Sequence, residues 1–458
     1  MMSAWQEELR AVSDRVVREV LEAVEPGWLV ERSMRARAEE FVGGTWKVVA
    51  FGKASVAMVR GAAKVLGPRL LNGVVVAGDG SFDADVDEVD TGGTPGPRDW
   101  RGSLPSTFEV LFADHPRPTA RNVDAARRVE SFVREVSADE GLLVLVSGGG
   151  SAHLTLPMEG VSLDEIAETS SRLMRVGATI REINSVRKHV ERLKGGRLAG
   201  MCNAAAIEVI VLSDVIGDPL DTIASGPCAP DPTTFAEALG VLTRYRLRDV
   251  PMCAGVVRML ERGTRGEVVE TPKPGDPRYS RVRHTIVGNN TTALDAARKA
   301  VEASGFSVMD VRGGIEGDAA TVAQRWVRET LQAKASASGR HAWILGGETT
   351  VDVEQSTGRG GPSQEFALAA SMEIAGHEGV GVLVFSTDGV DGPTANAGAV
   401  IDGGTEDIAS ASGVDAARGL VNHDSARVLE AAGCVVRTGP TGTNVNHVAV
   451  LFRADRRG

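Results

Sequence analysis

Short runs of Val, Leu and Ile recur along the chain, each bounded by glycine or polar residues, with amphipathic stretches between them. Residues 48–51, 73–77, 109–112, 142–146 and 208–212 read as buried strands in the first half, and helical spacing falls near 54–66, 119–136 and 162–181. The second half resumes the alternation at 285–287, 306–311, 342–345, 382–385, 434–436 and 448–452, with helical patterns at 291–303, 318–335, 363–375 and 423–432. Strands that alternate with helices and are apolar throughout predict an α/β fold, with mostly parallel sheets flanked by helices. A break is expected between the halves. Three prolines lie within 227–232, and the polar stretch 262–283 carries Pro272, Pro274 and Pro277. The expected organisation is therefore one α/β domain over 1–250, a linker over 251–283 and a second α/β domain over 284–458, facing each other across a ligand cleft. An amino-terminal helix is predicted from the apolar residues at 5, 9, 12, 16, 17, 20, 21 and 24.

A length of 458 residues also favours two cores over one. The 54 glycines and only 4% aromatics suit a fold with many strand-to-helix turns. A net charge of −11 argues against a general nucleic-acid or membrane-surface binder, so an anionic substrate needs locally clustered Lys and Arg. Cys202, Cys228, Cys253 and Cys434 have no metal-like spacing and read as small buried residues. No continuous apolar segment suits a signal peptide or a membrane span, which predicts a soluble, cytoplasmic protein.

The candidate chemistry sits in polar glycine runs that follow strand-like segments, where open α/β sheets build ligand sites. Gly439-Pro440-Thr441-Gly442-Thr443-Asn444-Val445-Asn446 can present backbone N–H groups, hydroxyls and amides to one oxyanion. Ser147-Gly148-Gly149-Gly150-Ser151-Ala152 repeats the device, as do Ser386–Gly392 and Gly346-Gly347-Glu348-Thr349-Thr350. His153, next to the triple-glycine loop, reads as either a ligand or a structural histidine. Lys53, in Gly52-Lys53-Ala54-Ser55, opens a helix where phosphate or carboxylate is favoured; the alternative is a solvated lysine at a turn. Arg187, Lys188, Lys194 and Arg197 concentrate positive charge in an acidic chain: one or two would hold phosphate and the others would be solvated. Asp214, Asp218, Asp388 and Asp391 lie beside these loops and suit either Mg²⁺, which shares hard oxygen ligands with phosphate, or turn capping. Arg359 sits on a glycine hinge able to aim a bidentate clamp, with Pro362 or Ser363 suited to starting the next helix. A nicotinamide-dependent reductase would need a G-x-G-x-x-G fingerprint, and neither that nor a Walker A sequence occurs.

In this order, the segments resemble the glycerate 2-kinase family, whose carboxyl-terminal half is the MOFRL domain. The resemblance rests on Gly52–Ser55, Asp114-His115-Pro116-Arg117-Pro118, Ser147–Ala152, Glu182–His189, Lys194–Arg197, Ser213–Pro219, Ile223–Pro227, Asp388–Thr394 and Gly439–Asn446. It implies a Rossmann-like first domain, a MOFRL-type second domain, and transfer of phosphate from ATP, with a divalent metal such as Mg²⁺, to the 2-hydroxyl of D-glycerate or a related small hydroxy acid. A homodimer is left open. The resemblance makes Lys53 the key phosphoryl-transfer lysine and Asp214 the metal partner or orienter of the hydroxyl. Two positions depart from the family pattern. Gly360-Gly361-Pro362-Ser363-Gln364 stands where the family usually reads Gly-Gly-Arg-Asn-Gln, with Arg359 as a substitute cation for the arginine replaced by Pro362. His447 stands where an aspartate usually closes the last motif.

Overall fold

The buried apolar runs of the first half pair with one another because each is apolar on both faces and must be covered on both. In the structure, a computed structural model describing residues 3–78, 104–333, 339–352 and 357–454, they form one sheet. Its strands are β1 (Trp46–Phe51), β2 (Leu70–Gly78), β3 (Phe108–Ala113), β4 (Gly141–Val146), β5 (Ala206–Leu212) and β6 (Val282–Gly288), in the order 3-2-1-4-5-6. The pairs β1–β2, β2–β3, β1–β4 and β4–β5 are all parallel. The chain leaves β1 toward β2 and β3, then returns to place β4 on the other side of β1. That reversal opens a crevice at the carboxyl ends of β1 and β4, the position where doubly wound sheets take ligands. Val49, Phe51, Val144 and Val146 pack with Val129 and Val133 of the helix Ala120–Arg134 beneath it.

The second half builds a different sheet. β7 (Ser307–Asp318), β8 (Arg340–Thr350), β9 (Val380–Ser386), β10 (Gly398–Asp402), β11 (Val435–Val436) and β12 (His447–Ala454) lie in the order 11-10-9-12-8-7. Only β7–β8 is parallel; β12 runs antiparallel to both β8 and β9, and β10 to both β9 and β11. The α/β architecture is as expected, and four strands share one direction, but β10 and β12 are inserted reversed, so the pairing is mixed. β10 was not foreseen: it is five residues long and starts at a glycine. Gly346–Thr350, expected as a loop, is the end of β8, with Gly347 opposite His447.

The chain divides into two compact units, residues 26–78 with 104–287 and residues 3–25 with 288–454. The division differs from the expected boundaries at both ends. Within 251–283 lies the helix Ala254–Thr264, whose Val256, Val257 and Leu260 join Ile166, Val186 and Phe235 in an apolar cluster, so much of the expected linker is core. The prolines around it obscured that amphipathic spacing. The amino-terminal helix Ala4–Ala23, closed by a Ser3/Gln6 capping box, belongs with the carboxyl-terminal residues. Trp5 Nε1 donates to Val380 O at 3.4 Å, Glu8 pairs with Arg340, and a Cβ on Gly381 would lie 2.3 Å from Leu9 Cδ2. Among the described residues no helix is long and apolar enough to cross a membrane, and all four cysteines are free.

Leu9 fills the space over Gly381 and is 3% exposed. Leu9→Ala should therefore cost roughly 2–5 kcal/mol in denaturant unfolding. A cost below about 0.5 kcal/mol, the range of surface substitutions, would contradict this packing.

Candidate active site

At the strand-order reversal two loops are interlocked through their backbones. Gly52 follows β1 with φ +106°, and a Cβ there would lie 2.4 Å from Ser147 O, so only glycine permits the approach. Lys53 N–H donates to Gly148 O at 2.8 Å, Ala54 N–H to Ser147 Oγ at 3.0 Å, and Ser147 N–H to Phe51 O at 3.2 Å. The helix Ser55–Leu66 opens directly behind Lys53, and Gly149 lies against the lysine stem and His115. A half-buried lysine, a helix amino end and a glycine loop are thus gathered at the crevice. His153 resolves to a structural role: it is fully buried, and its Nδ1 accepts the Gly52 N–H at 3.1 Å. Burial, and then the neighbouring His115, push its pKa down to about 4.

The basic cluster does something other than expected. The helix Ile180–Val190, started by a Thr179/Glu182 capping box, turns Asn184, Arg187 and Lys188 toward the site at i, i+3 and i+4 spacing. Of the four cations singled out, Lys188 and Lys194 are buried and Arg187 and Arg197 half-buried. Lys188 is 2% exposed and bonds Asp221 at 2.8 Å and Asp231 at 3.4 Å. Lys194 is 1% exposed; its ammonium donates to Ser151 O at 2.7 Å and Leu154 O at 3.0 Å and forms an ion pair with Glu191 at 3.2 Å. Two carbonyls and a buried carboxylate surround the ammonium, so Lys194 grips the glycine loop by a carbonyl. Arg187 does the same, donating to Ser151 O at 2.8 Å while pairing with Glu191 at 3.1 Å. The expectation that Lys188 and Lys194 hold phosphate is corrected accordingly: both are held by protein oxygens. Gly195 and Gly196 N–H donate to Ser225 O and Gly226 O at 3.0 and 2.7 Å, which explains the Lys194-Gly195-Gly196 run.

β5 delivers Asp214 and Asp218 to the same sheet edge. Asp214 is half-buried and follows a strand two places from β1, so its backbone lies on the order of 10 Å from that of Lys53. Among the described residues no three His, Cys, Asp or Glu side chains cluster as a metal cage. One or two carboxylates suffice where Mg²⁺ shares phosphate oxygens, and Asp214 and Asp218 fit that donor chemistry. Within the Ile223–Pro227 motif lies a conformation that the sequence reading did not anticipate. Ala224, Ser225 and Gly226 take φ of 50°, 60° and 61°, three left-handed residues in succession. Only Gly226 signalled this, since left-handed alanine and serine carry no compositional mark.

In the other unit the Gly439–Asn446 run does meet the Ser386–Gly392 run. Thr387 Oγ1 donates to Asn446 O and accepts from Val445 N–H, both at 2.8 Å, and Thr441 Oγ1 donates to Thr387 O at 2.6 Å. Gly389 has φ +83°, and a Cβ there would lie 1.9 Å from Gly439 O. Gly439 and Gly442 face open space, and Thr443 Oγ1 donates to Val24 O at 3.0 Å. Asp388 accepts from Ser386 Oγ at 2.6 Å and so organises its own turn. Asp391, suited by sequence to either a metal or a cap, is 2% exposed and accepts the N–H groups of Ser363 and Gln364 at 2.9 and 2.8 Å. It caps the helix Pro362–Glu373 from outside its sequence.

Residues 12–261 match a domain of unknown function (DUF4147), and residues 341–447 match the MOFRL family. D-glycerate 2-kinase of Thermotoga maritima is 35% identical, over 97% of this chain and 98% of its own length. Glycerate 2-kinase of Pyrococcus horikoshii is 34% identical, over 98% and 99%. The chain belongs to the glycerate 2-kinase family. A crystal structure of glycerate kinase from Thermotoga maritima superposes with a TM-score of 0.80, at 34% identity and covering 98% of this chain and 100% of that one.

Both departures from the glycerate 2-kinase pattern are accommodated locally. Pro362 occupies the first helical position, where the missing N–H has no helical acceptor. Arg359 has a 59% exposed side chain, with Glu430 3.9 Å away, and its backbone is held by Asp424 and Ala426. His447 starts β12 beside Asp391 and Asp388; burial holds its pKa below the ordinary value against their pull.

His153 and His284 both have pKa values pushed down to about 4 by burial. Between pH 6.5 and 4 the unfolded chain binds protons that the folded chain refuses, so stability rises with pH there and is lost on acidification. Each group should contribute on the order of 3 kcal/mol across that window. Unfolding measured against pH should show the slope, and His153→Asn, which retains an acceptor for Gly52 N–H, should remove about half of it. An unchanged slope in that variant would count against a buried neutral His153.

Proposed function

We propose that this chain is a D-glycerate 2-kinase, transferring the γ-phosphoryl group of Mg·ATP to the 2-hydroxyl of D-glycerate and releasing ADP. The observation that carries the reading is Lys53, fixed beside the triple-glycine loop where the strand order reverses. The names of the Thermotoga and Pyrococcus relatives supply the acceptor. In the reaction the glycerate C2 oxygen bonds to the γ-phosphorus, the bond from that phosphorus to the β-bridging oxygen breaks, and the hydroxyl proton is lost.

Catalysis of this kind rests on positioning and on countering charge that spreads over the transferring oxygens. Lys53 meets that charge as a cation, and the N–H groups of Gly148 and Gly149 line the phosphate. Asp214 orients the acceptor hydroxyl and takes its proton. Asp218 would hold the Mg²⁺ that arrives with ATP, which would supply further charge neutralisation; the alternative role for Asp214 is to join it there as metal partner. Asp388 shapes its loop rather than binding the ion. In the second unit the loop from Gly439 to Asn444 opens at Gly439 and Gly442, where it suits an anionic group, while the Thr441 and Thr443 hydroxyls fix its shape; Arg359 replaces the cation lost at Pro362. The protein works on small molecules, in the cytoplasm.

The purified chain should release ADP with Mg·ATP and D-glycerate, with the phosphate on C2 by mass spectrometry. Lys53→Ala should lower turnover at least about a hundredfold, the scale of removing one positioned charge donor, with its unfolding free energy within about 1 kcal/mol. Near-normal turnover in that variant, or silence of the parent protein with glycerate, would sink the assignment.

A further inference from the structure

The left-handed turn at Ala224–Gly226 aims one hydroxyl. Asn184 is buried, and its Nδ2 donates to Thr222 O at 3.3 Å; a carbonyl can only accept, so the amide orientation is fixed with Oδ1 toward Ser225. Ser225 Oγ therefore donates to Asn184 Oδ1, at 2.9 Å. Its proton is committed, so at the 2.9 Å contact between Ser151 Oγ and Ser225 Oγ the donor is Ser151. The relay runs Ser151 to Ser225 to Asn184 to Thr222, all in one sense. Ser151 is half-buried at the edge of the glycine loop, its proton turned inward and its lone pairs available. Such a group cannot donate to a phosphate oxygen, the role expected of it from sequence. It can accept from a hydroxyl.

We propose that Ser151 is a specificity residue that accepts a hydrogen bond from the non-reacting hydroxyl of the acid substrate, with Ser225 and Asn184 fixing its polarity. The reacting hydroxyl must lose its proton and calls for a carboxylate. A serine that has turned its own proton away is a poor base and suits a hydroxyl that keeps its proton. In glycerate that is the C3 hydroxyl. The strain supports the role, since left-handed alanine and serine persist only where surroundings over-determine them, and such residues cluster at ligand sites. Gly195 and Gly196 N–H hold the turn by its carbonyls, and Ala224 Cβ lies 3.0 Å from where a Cβ on Gly150 would be. The proposal rests on the kinase reading above.

The test is calorimetric affinity for D-glycerate and for D-lactate, the same acid without the C3 hydroxyl, in the presence of a non-hydrolysable Mg·ATP analogue. The parent protein should prefer glycerate by about tenfold or more. In Ser151→Ala the preference should collapse toward unity. Ser225→Gly keeps the left-handed backbone without strain while removing the relay, and should lower the preference in the same direction. A preference retained in Ser151→Ala, or an equal loss for both acids, overturns the proposal. A parent-like preference in Ser225→Gly overturns the fixed polarity. A parent protein that neither binds glycerate nor releases ADP with it instead overturns the kinase reading.

Discussion

The amino-terminal site depends on one backbone contact, the approach of the loop after β4 to the turn after β1 across Gly52. The strand order places those two carboxyl ends side by side with their connections leaving in opposite directions, which creates the crevice. The order alone does not bring the loops into register. That requires a left-handed residue without a side chain at position 52, a Ser147 hydroxyl for Ala54 N–H, and an acceptor for Gly52's own N–H, which is His153 Nδ1. Each is a buried polar group satisfied by another, so the arrangement is stiff for the same reason that it is costly to break.

Charge is used in the same way. An acidic protein that binds anions needs local cations, and the basic helix beside the glycine loop looked like their source. Instead Lys194 and Arg187 converge on the carbonyl of Ser151, and Lys188 is neutralised by Asp221 and Asp231. Burial lowers the Lys194 pKa to about 8 despite Glu191, which marks how strongly the site favours its position over its solvation. Cations bound to a carbonyl fix the loop's geometry, and in the proposed reaction it is Lys53 that meets the phosphate.

What could be read in the sequence follows from which signals are local. Five of the six strands of the first sheet were legible in place with their helices, because parallel strands covered on both faces are continuously apolar; β6 was legible as a strand at 285–287 but was assigned to the second half. The second sheet's strands were legible one by one, except β10, but the reversal of β10 and β12 was not, since direction leaves no trace in hydrophobic period. Gly346-Gly347 resembled a loop by composition, yet Gly347 is paired opposite His447, with the backbone of Ile315 where a side chain would be. Site loops were found from their glycines. The roles of Lys188 and Lys194 were misread, and that of Asp391 stayed open between metal and cap, because a charged residue looks the same in sequence whether its partner is a ligand or a buried oxygen. Ala224 and Ser225 were invisible, since their conformation is imposed by the residues around them.

Pro362 and Arg359 show why a changed motif position need not mean a lost function. At the first helical position a proline removes no hydrogen bond, and Asp391 caps the next two N–H groups, so the helix is undisturbed. The preceding hinge is not loose: Cβ atoms on Gly358 and Gly361 would lie 2.3 Å from Asn422 O and 2.4 Å from Gly392 N. With its backbone pinned on both sides, Arg359 has only side-chain freedom, and a guanidinium on a long stem over a fixed anchor can still be directed to an anion. The weak, exposed approach of Glu430 at 3.9 Å does not hold it elsewhere. The fold therefore leaves Arg359 exposed on a fixed anchor three residues before Pro362, the arrangement on which its proposed role as substitute cation rests.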